Sequence, residues 1–210
     1  MARQLERWTA VAFMVAGALT VVTIGYGGLG EVAGLYVPAW PIVVVGFGGT
    51  ILAGALGLLG LSPALRPQAP HLVRLGAMSA VVAGLGASSW IVSGALGMGP
   101  WDLPELVATV MLVGGLLGFM ASSLLLGVAI LRASVHPRVI GGMLALGGLT
   151  FLAPLANELL GWQPPEWLPV LIFGTYGAIL FAAGVTLHGT QPARAERSRA
   201  GSASLEGMRR

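Results

Sequence analysis

Long uncharged runs alternate with short polar interruptions along nearly the whole chain. Between Glu105 and Arg132 lie 26 residues without a charge. At about 1.5 Å rise per residue, that is enough helix to cross a hydrocarbon core of roughly 30 Å with some tilt. Comparable runs cover Trp8 to Gly30, about Trp40 to Leu61, about Leu72 to Met98, about Val139 to Leu159, and Trp167 to about His188. The first is longer than the apolar region of a secretory signal, usually about 7 to 15 residues, and reads as a retained span. A lipid-exposed backbone must satisfy its own hydrogen bonds, so the runs predict helices. The expected fold is an all-α integral membrane protein with six transmembrane helices in a compact bundle. Residues 1–7 are a short polar start and 8–188 the membrane domain. Residues 189–210 are rich in Arg, Ala, Ser, Gly and Glu, cannot bury enough apolar surface to order themselves, and are expected to be a disordered tail.

The polar interruptions sort by side. Every arginine falls at the amino end, at Arg66 and Arg74, at Arg132 and Arg138, or in the tail; the intervening loops hold Glu31, Asp102, Glu105, Glu158 and Glu166 with no base. Arginine beside a span marks the cytoplasmic side, whereas acids carry little topological weight. The pattern predicts cytoplasmic termini at both ends and external loops near Tyr36, Trp101 and Trp162, whose aromatic rings suit the headgroup layer.

Composition narrows the class further. The chain is 56% hydrophobic and 9% charged, where a soluble domain is about 25% charged, which excludes a soluble fold. Its 210 residues leave no room for a second folded domain. The absence of cysteine excludes disulfides, iron–sulfur clusters, cysteine zinc sites and thiol nucleophiles. All eleven basic residues are arginine, which with 33 glycines points to a GC-rich prokaryote and to its cell membrane. Membrane orientation accounts for the arginines better than nucleic-acid binding does. The expected partners are the lipid bilayer and a membrane protein or a second copy of the chain, with a weak contact between the arginine-rich tail and anionic lipid.

Candidate chemistry is sparse. Mid-membrane ionisable groups are costly and usually functional, and none is present, which argues against a proton-coupled carrier or a charged-ion path. Glu158 lies 20 residues beyond Arg138, roughly 30 Å along a helix, and so at the outer interface. Tyr26, Ser89, Trp90, Ser93, Asn157 and Glu158 share the outer half of the membrane by residue count and are the candidate ligand or gating contacts. Tyr176 joins them from mid-depth. Pro154 cannot donate to the carbonyl of Thr150, so a kink is expected there, with the Tyr176 hydroxyl on the freed oxygen. The pairs Ser88–Ser89 and Ser122–Ser123 belong to opposite halves and are not expected to meet. His71, His136 and His188 lie at the cytoplasmic side, without the fixed helical positions and partners that haem or metal ligation requires. No catalytic, cofactor or metal site is expected.

Small residues recur every fourth position at Gly46, Thr50, Gly54; Gly76, Ala80, Gly84, Ser88; Gly114, Gly118, Ser122; and Gly174, Ala178, Ala182. Such rows let helix backbones approach closely, and packing is their expected role. The two arginine-bearing turns resemble each other, Leu65, Arg66, His71, Arg74, Gly76 beside Leu131, Arg132, His136, Arg138, Gly141. That pattern fits either three duplicated hairpins or convergence on a common loop composition. The expected function is a non-catalytic accessory or assembly subunit of a membrane complex; the alternative is a small permease or receptor for an uncharged or amphiphilic ligand. Topology is directly testable. Reporters fused after Arg74, Arg138 and Gly189 are expected to act as cytoplasmic and those near Tyr36, Asp102 and Gln163 as external; external activity after Arg138 would overturn the assignment.

Overall fold

The computed structural model describes residues 2–32, 39–96, 104–133, 135–150 and 171–189, with side chains for 7–25, 45–96, 104, 114–133, 135–149 and 171–189. These residues form six helices: α1 (Ala2–Val32), α2 (Ala39–Leu65), α3 (Pro70–Ala95), α4 (Glu105–Arg132), α5 (Arg138–Thr150) and α6 (Leu171–Gly189). Five are long and apolar enough to cross a membrane; α5, 13 residues, is apolar over Arg138–Leu149 but shorter than the others. There is no strand among the described residues.

Proline chemistry sets the two described turns. α2 runs through Pro63 in its last turn and stops at Leu65, where the amides of Gln68 and Ala69 both donate to the Leu65 carbonyl at 3.1 Å. Ala69 lies outside the α region (φ −142°, ψ 61°), which a following proline disfavours, and Pro70 opens α3 at a position where its missing N–H costs nothing. At the second turn Ala133 leaves the helix at φ −92°, ψ 127° while its amide still reaches Ala129. Pro137 then precedes α5 and accepts from the Ile140 amide at 3.0 Å.

The helices pack as a filled triangle. α2, α4 and α6 meet one another at its centre: Gly54 of α2 lies against the Phe119 ring of α4, Ser123 of α4 bonds Tyr176 of α6, and Phe47 of α2 stands edge-on to Phe173 of α6 at 5.2 Å. α1, α3 and α5 occupy the corners. α1 lies between α2 and α6, α3 between α2 and α4, and α5 between α4 and α6. Corner helices do not pack appreciably on one another among α1, α3 and α5. Burial is greatest along α4, half of which is buried over Gly114–Arg132, and least along α3 at 28%, while α1 and α6 are alike at 39%. Each hairpin, α1–α2, α3–α4 and α5–α6, therefore supplies one corner and one central helix. The two similar turns join equivalent pairs in a threefold-like array about an axis parallel to the helices.

Glycine makes the close seams. A Cβ on Gly127 of α4 would lie 2.6 Å from the Ala145 amide nitrogen and 2.8 Å from the Gly141 carbonyl oxygen of α5. On α6, a Cβ on Gly184 would lie 2.7 Å from the Ala10 carbonyl of α1, and one on Gly177 2.7 Å from Thr20 Cβ. Gly118 of α4 comes as close to Ser79 and Ala83 of α3, as its row predicts. The row expected on α6 needs correction. Ala178 is exposed and Gly174 has only Ile24 within 4 Å among the described residues, because the helix turns Gly177 and Gly184 toward α1.

These contacts generate a paired prediction. Gly127→Ala forces a methyl into the α5 backbone and is expected to destabilise by about 1–3 kcal/mol. Gly142→Ala, at a site with nothing within 4 Å among the described residues, is expected to stabilise by about 0.5–1 kcal/mol through helix propensity. Melting temperatures in mild detergent check both; equal shifts of one sign would contradict the seam.

Candidate functional site

The polar centre of the protein is built on Tyr176. Ile172, Tyr176, Leu180, Ala183 and Leu187 form the buried row of α6 at helical spacing, and Tyr176 is only 1% exposed. A phenol so placed has no water to bond, and its hydroxyl pairs with Ser123 Oγ at 2.7 Å. Ser123 stands on the α4 row Phe119, Ser123, Leu126, Ile130, all fully buried. Phe119 meets the Tyr176 ring edge-to-face, with centroids 5.5 Å apart and planes at 89°. Glycine provides the space on both sides, Gly54 of α2 against Phe119 and Gly147 of α5 against Tyr176. One tyrosine thereby joins α4, α5 and α6.

Thr20 and Thr50 close on their own helices. Thr20 donates to the Ala16 carbonyl at 2.8 Å and Thr50 to Gly46 at 2.9 Å, and the two threonines also meet at 3.3 Å between α1 and α2. Such back-bonding satisfies a hydroxyl where no water enters. Ser122 is the exception: its Oγ is buried with no hydrogen-bond partner among the described residues. It lies between Gly118 and Leu126, on the side of α4 that faces α3.

The sequence-based candidates are distributed as follows. Ser89 is exposed and donates to the Leu85 carbonyl at 3.0 Å; Ser93 donates to the Ser89 carbonyl at 2.9 Å. Trp90 is half-buried and turns toward α2, its ring 5.9 Å from Phe47. Ser89 and Trp90 thus point to different sides of α3. Tyr176 lies deeper, in the centre. The Tyr26 side chain, Asn157 and Glu158 lie outside the described residues, as does the expected kink at Pro154. The serine pairs stay apart, since Ser88 donates to Gly84 of its own helix while Ser123 bonds α6. His71 and His188 are exposed and His136 is buried in the α4–α5 turn; among the described residues no group of His, Asp or Glu comes together as a metal site.

Sequence reasoning missed the Ser123–Tyr176 bond. The available signal was the row Phe119, Ser123, Leu126, Ile130, which marks Ser123 as inward-facing, combined with a mid-span phenol that needs a partner. Comparison of the chain with protein-family models, curated proteins and solved structures gives no match.

The adjacent serines are expected to respond oppositely to truncation. Tyr176→Phe and Ser123→Ala should each cost about 0.6 kcal/mol, the average for a membrane hydrogen bond, and the double variant little more than either alone. Ser122→Ala should be neutral or stabilising, because it removes a buried hydroxyl without a described partner. A double-mutant cycle of thermal stability in detergent measures both; additive losses at 123 and 176 would exclude the coupling.

Proposed function

We propose that the chain is a six-span protein of the cell membrane with both termini cytoplasmic, and that it acts as a non-catalytic accessory or assembly subunit through its outer surface. The observation that carries this reading is the filling of the bundle axis. Aromatic rings occupy it at two depths, Phe47 with Phe173 and Phe119 with Tyr176. Leu58 and Leu61 of α2 and Leu180 of α6 are almost completely buried as well. A solute path along the axis would require these rings to leave packed positions, which favours the subunit over the permease. The glycine seams point the same way, since they fix the backbones rather than leaving room for a moving gate.

The outer surface supplies a place for a partner. On α6, Thr175 and Ala178 are exposed and Gly174 and Ala182 half-buried, so a row of small residues faces outward between larger ones, Leu171, Phe181 and Val185. Membrane helices associate through such rows. The partner is another membrane protein or a second copy of the chain.

A photo-crosslinking residue at Ala178 is expected to give a discrete protein adduct in native membranes, while the same residue at exposed Leu85 of α3 gives lipid adducts alone. Lipid adducts at both positions would contradict the assignment. Accelerated flux of a neutral solute such as glycerol into vesicles containing the purified chain would replace it with the permease.

A further inference from the structure

We draw no further inference here: the strongest candidate, the Ser122 hydroxyl buried in the α3–α4 seam with no hydrogen-bond partner among the described residues, lies where Gly118 packs on Ser79 and Ala83 and Leu126 packs on Gly76, and nothing in the structure shows a cavity beside it that a ligand could enter.

Discussion

Helices surrounded by lipid are not pulled together by the hydrophobic effect, because the tails outside are as apolar as the side chains inside. Association must come from contact itself, and contact is greatest where backbones approach most closely. The arrangement described here depends on that requirement. At Gly127, Gly177 and Gly184 the facing helix lies where a side chain would stand. Glycine in a helix costs about 0.5–1 kcal/mol relative to alanine in conformational freedom. The helices stay formed despite this cost, since unwinding one in the membrane would leave backbone polar groups without partners.

The same absence of water governs the interior hydroxyls. Thr20, Thr50 and Ser88 bond carbonyls four residues earlier, an arrangement available at nearly any helical position. Tyr176 holds its hydroxyl too far from its own backbone for that solution and reaches across to Ser123. A bond that any helix could make alone carries little information about the fold, whereas one that needs two particular helices at one depth helps specify their pairing. Phe119 adds geometry to this bond, because its edge-on contact with Tyr176 requires the ring to enter the space left by Gly54.

Helix positions were legible in the sequence because charge is nearly confined to the ends of the apolar runs. The boundaries of α3 and α4 lie close to those expected from the uncharged runs. Neighbour relations were less legible. A row such as Gly174, Ala178, Ala182 promises close packing, but so does any helical row of small residues, and the chain presents a different one, with Gly177 and Gly184, to α1. Facing direction depends on the joint fit of six helices, which no single run encodes. The candidate site was obscured for a related reason. Counting residues from the span ends gave depth along the membrane but no azimuth around each helix, so Ser89 and Trp90 were grouped although they turn to different sides, while Ser123 and Tyr176 were never connected.

The triangular plan has a consequence for biogenesis. A chain that enters the membrane hairpin by hairpin brings α2 beside α3 and α4 beside α5 as each new pair arrives, but the face of α1 that carries Gly17 and Thr20 awaits α6, the last of the described helices. Until then that face and the Phe119–Ser123 row of α4 lack their final neighbour. A chain inserted in this order therefore passes through a stage in which that flank faces lipid rather than a helix. Arrival of α6 ends that stage, Gly177 and Gly184 closing against α1 while Tyr176 closes against Phe119 and Ser123 of α4.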